Sequence, residues 1–130
     1  MTQNIISIQR RSKDFAVRVI RAYVQLSKKH FDDAAKVLSK QFLRSGTSIG
    51  ANCPKRYCFA YAEAEFAQSR VDFLSKYSIA LKEASECKYW IETMIETNIA
   101  PESKFQEMLL ELNSMIKILI STTKKLKENK

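Results

Sequence analysis

One apolar stripe dominates the second half of the chain. Phe66, Phe73, Tyr77, Ala80, Ala84, Cys87, Ile91 and Met94 recur at steps of three, four or seven residues, which a helix of 3.6 residues per turn gathers on a single face. The spacing predicts a helix over residues 62–97, on the order of 50 Å long at the α-helical rise. Two Gly and two Pro in 130 residues leave little punctuation for a many-turned β fold, so long helices are the reading throughout.

Three further stripes complete the pattern. Phe15, Val19, Ala22, Tyr23 and Leu26 predict a helix over 13–30, started by Ser12 and Asp14 after a loosely held lead-in of residues 1–11. Asp32 and Asp33 restart the chain, and Ala35, Leu38, Phe42, Ser45 and Ile49 carry a helix over 33–52. The Ser45–Gly50 run reads locally as a turn, because Gly and Ser are poor helix formers. Gly46 and Gly50 are four apart, however, and on a helix would share one face and let another chain segment approach closely. That packing role favours helix. Asn98-Ile-Ala-Pro101 ends the third helix, and Phe105, Leu109, Leu112, Ile116, Leu119 and Thr123 define a fourth over 101–126 before a basic tail. Four long helices with short joins predict one all-α domain, 1–130, folded as an antiparallel up-down four-helix bundle.

Leu43-Arg-Ser-Gly-Thr-Ser-Ile-Gly-Ala-Asn52 followed by Ala62-Glu-Ala-Glu-Phe-Ala-Gln-Ser-Arg-Val-Asp-Phe73, Ser78-Ile-Ala-Leu-Lys-Glu-Ala84 and Tyr89-Trp90 resembles a small bacterial four-helix-bundle family. Its genes were first noticed in intervening sequences of large-subunit ribosomal RNA, and it is similar to the accessory variability determinant of diversity-generating retroelements. The resemblance covers nearly the whole chain. In the family the Asn is followed at once by an aliphatic residue and Ala-Glu-Ala. Here Cys53-Pro-Lys-Arg-Tyr-Cys-Phe-Ala60 intervenes and Tyr61 stands in the aliphatic place, so residues 53–60 are expected to form an inserted loop, natural or engineered, with Pro54 disfavouring helix. The resemblance implies a ring of five subunits around a central channel, and a protein partner such as a reverse transcriptase. It implies no defined activity.

The outer faces point the same way. With the core stripes turned inward, Val71, Ile79, Tyr89 and Trp90 on the third helix and Leu110 and Ile118 on the fourth are left pointing elsewhere. Six such residues suggest a patch held against further copies, hence a homo-oligomer. Charge is uneven: the net formal charge is +9 over residues 1–56, −5 over 57–113 and +4 over 114–130. Lys36, Lys40 and Arg44 form a ridge spaced by four on the second helix, and Arg10, Arg21 and Lys28 share the back of the first. Lys55 and Arg56 add two cations in the insertion, beside Tyr57. Such ridges serve as phosphate tracks or as solvated faces that keep a protein soluble.

The chain carries no recognisable constellation of catalytic residues. The one histidine, His30, supplies at most one imidazole at a helix end. Glu83 and Glu86 are accompanied by Lys82 and Lys88, which reads as helix-surface pairing. Gly46 and Gly50 lack the Lys-Ser/Thr of a phosphate loop. Three cysteines, Cys53, Cys58 and Cys87, fit neither a disulfide framework nor a zinc site and are read as free thiols. No apolar run spans a bilayer, and no leader pattern opens the chain. The expectation is a cytoplasmic, non-enzymatic protein without metal or cofactor. It is either an adaptor binding RNA or DNA non-specifically through basic helix surfaces, with backbone contacts dominating, or a structural protein–protein assembly module whose charge serves solubility.

Overall fold

The computed structural model describes residues 2–30, 32–54 and 66–128, with side chains from Ile8 and, after the gap, from Arg70. Within them lie four helices and no strand: α1 (Thr2–Lys29), α2 (Asp33–Ala51), α3 (Phe66–Glu96) and α4 (Glu102–Glu128). Residues 55–65, which include most of the expected insertion and the expected start of α3, are outside the described residues, as is the side chain of Phe66.

The first helix departs from its sequence reading. It begins at Thr2 and not near residue 13. Ile8 and Ser12 extend the stripe of Phe15, Val19 and Leu26 backwards at steps of four and three, and all five are buried. Ser12 is therefore an interior position, not a cap. Its hydroxyl donates to the Gln9 carbonyl one turn earlier at 3.1 Å.

At α2 the cap is Asp32, in extended geometry (φ −75°, ψ 159°), whose carboxylate accepts from the Ala35 N–H at 2.8 Å. An oxygen acceptor there satisfies one of the free N–H groups of the first turn. The Ser- and Gly-rich stretch is helical. Ser45, Thr47 and Ser48 turn their hydroxyls back onto the carbonyls of Gln41, Leu43 and Arg44 at 2.8, 2.9 and 2.7 Å, so these polar groups are satisfied within the helix itself. A methyl group at Gly46 would stand 2.7 and 2.9 Å from the two γ-carbons of Val19, and one at Gly50 would stand 3.2 Å from the Ser12 hydroxyl and 3.3 Å from its carbonyl oxygen. The two glycines thus set how closely α2 lies on α1.

The join between α3 and α4 has a defined geometry. Asn98 takes the left-handed conformation (φ 62°). Its N–H reaches the Ile95 carbonyl at 3.0 Å, while the Ile99 N–H reaches Met94 at 2.9 Å. That pair of bonds closes the end of α3, and Asn is among the few residues that accept a positive φ cheaply. Pro101 precedes α4, its carbonyl accepting from Phe105 at 3.2 Å.

Tyr77, Phe15, Phe42, Ile49, Ile91, Leu112, Met115 and Leu119 fill the centre, with Phe42 of α2 tilted against Phe105 of α4 at 5.6 Å. On α4 the buried face is centred on Phe105, Met108, Leu112, Met115 and Leu119, while Leu109 and Ile116 are half-buried at its edge. Successive helices pack along their lengths, and α1 meets α4 along a looser seam.

Gly46→Ala raises helix propensity by about 1 kcal/mol, yet drives a methyl into Val19, which is fully buried and stiff about χ1. Overpacking of this kind costs about 1–3 kcal/mol. The variant is therefore expected to unfold at lower urea, and Val19→Ala placed in the same chain should cost less than it does alone, a coupling a double-mutant cycle reads directly.

Candidate functional site

The basic side chains divide into those the fold uses and those it leaves outward. Arg44 belongs to the first group, which corrects its placement in the α2 ridge. Its guanidinium gives one nitrogen to Glu83 at 2.9 Å and another to Glu86 at 2.6 Å, with Nε on Gln41 at 3.1 Å. The hydrogen bond to Glu86 is the main reason its pKa is raised. Glu83 and Glu86, read from the sequence as partners of Lys82 and Lys88, instead tie α3 to α2. Only the packing of those helices brings residues 39 and 42 positions apart into register.

Arg11 is the second structural cation, and no sequence signal singled it out. It forks onto Glu111 of α4 at 2.9 and 2.8 Å and also donates to the Ser114 hydroxyl at 2.7 Å, the bidentate geometry a planar guanidinium favours. Its pKa is raised, chiefly by the hydrogen bond to Glu111.

Arg10, Arg21, Lys28, Lys36 and Lys40 belong to the second group, as do other exposed cations such as Lys13, Arg18 and Lys29. All are exposed. Arg10 approaches the Asp14 carboxylate only to 4.0 Å, with both side chains largely in solvent. Neither Arg21, Lys28, Lys36 nor Lys40 has an ion pair with a described residue. Lys55 and Arg56 lie outside the described residues.

Of the six residues expected at an oligomer interface, Val71, Ile79, Tyr89 and Leu110 are exposed. Trp90 and Ile118 are not: both are half-buried and pack on the protomer's own core. Trp90 lies toward the inner edge of α3, its ring edge-on to Tyr89 at 5.0 Å and its indole N–H buried without a partner among the described residues. Val71 and Tyr89 share one line of α3 and stand about 27 Å apart at 1.5 Å per residue, so the exposed residues of α3 are spread along the helix. A more compact patch was missed. Val17, Ile20 and Val24 are exposed on α1 at steps of three and four, interleaved along the helix with Arg10, Arg21 and Lys28. Their spacing was legible in the sequence, but beside the stronger inner stripe of the same helix it carried no separate weight.

The thiols of Cys53 and Cys87 are buried. Burial pushes Cys53 up to about 11, with a hydrogen bond to Ser12 working against it. Cys87 is pushed up to about 12, again mainly by burial and against a hydrogen bond with Ser45. Both are held as neutral thiols, which are poor nucleophiles and poor metal ligands. Among the described residues there is no cluster of three or more His, Cys, Asp or Glu that could hold a metal, and no helix is long and apolar enough to cross a membrane.

Residues 5–121 match the family model of the 23S rRNA-intervening sequence protein. The chain belongs to that family. A crystal structure at 1.70 Å of a protein with unknown function from the S23 ribosomal protein family of Bacteroides thetaiotaomicron is 41% identical, covers 93% of this chain and 98% of its own, and superposes with a TM-score of 0.74. No curated protein matches the chain. The 23S rRNA-intervening sequence family resemblance read from the Leu43–Asn52 phrase is thereby shown, together with its four-helix, all-α fold.

Two outcomes follow from this geometry. Arg44→Met should cost less than about 1 kcal/mol, the range of exposed ion pairs, in urea unfolding. In a Cys58→Ser background, Cys53 and Cys87 should resist a thiol reagent at pH 8 until the protein unfolds. Because folding raises both pKa values, their stabilising contribution is complete below the unfolded thiol value and declines as pH rises towards 11–12. The urea midpoint should therefore fall between pH 8 and pH 10, and fall less in Cys53→Ser.

Proposed function

We propose that this 23S rRNA-intervening sequence family member is a non-enzymatic, oligomeric adaptor that binds RNA or DNA through its phosphate backbone, without strong sequence preference. The observation that carries the reading is the division of its cations. Arg11 and Arg44 are consumed in inter-helix ion pairs, while Arg10, Arg21, Lys28, Lys36 and Lys40 stay exposed in the part of the chain that holds the basic excess. Exposed cations without close acidic partners attract polyanions and release counterions on contact. Lys36 and Lys40, four apart on α2, share one helix face.

The fold we infer is the antiparallel up-down bundle. Its support is the reversed order of partners, since Gly46 meets Val19 and Gly50 meets Ser12, and Arg11 meets Glu111. The assembly we infer is a homopentamer, as the family resemblance implies. Exposed Val71, Ile79, Tyr89 and Leu110 support self-association. These residues also support the second reading, a protein–protein assembly module with no nucleic-acid role. Under either reading the protein is cytoplasmic and needs no cofactor.

Titration of labelled duplex DNA and structured RNA at 50 and 200 mM salt separates the two readings. The adaptor reading expects affinity to fall steeply with salt. For duplex DNA, Lys36→Glu plus Lys40→Glu should reduce the slope of log K against log salt by about two, while Arg44→Met leaves it nearly unchanged. No binding at the lower salt leaves the assembly module. Light scattering reads the subunit number, with five copies of the 15.0 kDa chain expected, and a monomer would end the assembly argument.

A further inference from the structure

The looser seam between α1 and α4 is not closed along its length. Between Arg18 and Gln25 of α1 and Lys104 and Met108 of α4 it opens into a groove of about 540 Å³. A narrower depression continues from it past Lys29 and His30 to Pro101, at the end of the bundle. From Arg18 to Lys29 the trough is about 16 Å long at the helical rise, three turns of a docked helix. The Arg11–Glu111 clamp lies two turns before Arg18 on α1 and joins the two helices beyond the groove's other end.

Its lining is apolar below and cationic above. Ala22, Phe105 and Met108 form the floor, and Arg18, Arg21 and Lys104 stand on the rim against a single carboxylate, Glu107. Ile20 and Val24, 47% and 42% exposed, extend the apolar wall on α1. An open trough of this shape leaves too much of a small molecule in water, since small ligands are buried over most of their surface. A nucleic acid backbone would satisfy the rim but not cover the floor. A helix with apolar residues at i, i+3, i+4 and i+7 and carboxylates along both edges satisfies both. The α1 stripe of a second copy does not, because Val17, Ile20 and Val24 are interleaved with Arg10, Arg21 and Lys28, which would set cation against cation.

We propose that the α1–α4 groove receives an acidic amphipathic α-helix of a partner protein. The reading is independent of the Lys36 and Lys40 track, and its test uses residues outside that track. The probe is a fluorescein-labelled synthetic helical peptide with Leu at i, i+3, i+7 and i+10 and Glu on both flanks, followed by anisotropy against the full chain. Saturable binding is expected. It should weaken at least about tenfold in Arg18→Glu plus Lys104→Glu, as like charges placed on a rim do, and stay unchanged in Lys36→Glu plus Lys40→Glu. A peptide with Lys in place of Glu should not bind. The milder Lys104→Gln, on an exposed residue, gives the same direction should the double variant melt early. Four results each overturn the proposal: no saturation up to about 1 mM peptide, equal binding of the Lys-flanked peptide, equal binding by the rim variants, or a loss of oligomer mass in those variants, which would give the groove to a second copy. Displacement of the peptide by duplex RNA, with RNA affinity lost in the same rim variants, would assign the groove to phosphate instead and overturn it as well.

Discussion

The closeness of α1 to α2 is the constraint on which much of the molecule rests. At Gly46 the missing side chain is occupied by Val19, and at Gly50 by the backbone and hydroxyl of Ser12. Neither position tolerates a methyl group without movement of a buried neighbour, and packed interiors yield little. The same approach accounts for Ser12 lying buried inside a helix, since Gly50 of α2 lies against it. It also brings Ser12 against Cys53 just beyond the end of α2, so that this thiol is both hydrogen-bonded and shielded.

The other seams are held differently. Between α2 and α3 the small residues Ser45, Ala80, Ala84 and Cys87 are all buried, and Arg44 bridges the rim to Glu83 and Glu86. Between α1 and α4 there is less packing, and a single fork from Arg11 to Glu111 and Ser114 ties the two together. Such part-exposed pairs contribute modestly to stability, about 0.2–1 kcal/mol each. Their larger consequence is for charge distribution. They take two arginines out of the field that the protein presents, and what remains outward includes the five cations of α1 and α2 proposed as a phosphate surface and the rim of the α1–α4 groove.

Much of this was legible beforehand. The inner stripes of α1, α2 and α3 were read from spacing, and each residue named on them whose side chain is described is buried or half-buried. The helical state of the Ser45–Gly50 run was read against its propensity, because a pair of glycines four apart makes sense only when something packs there. The stripe of α4 was read one edge too far round: Met108 and Met115 belong at its centre, and the alternatives Leu109 and Ile116 are so similar in hydrophobicity that periodicity alone does not choose between them.

Periodicity is a property of one helix, and so the sequence by itself determined the four helices found among the described residues, which side of each turns inward and, through its phrases, to which family the chain belongs. It could not determine what stands across a seam. That Arg44 is neutralised, that Arg11 is a clamp, that Trp90 and Ile118 are covered by their own protomer and that α1 and α4 part to form a groove all depend on the distance and rotation between helices. Those are set by contacts between residues 39 to 100 positions apart, which only the packed tertiary structure brings together.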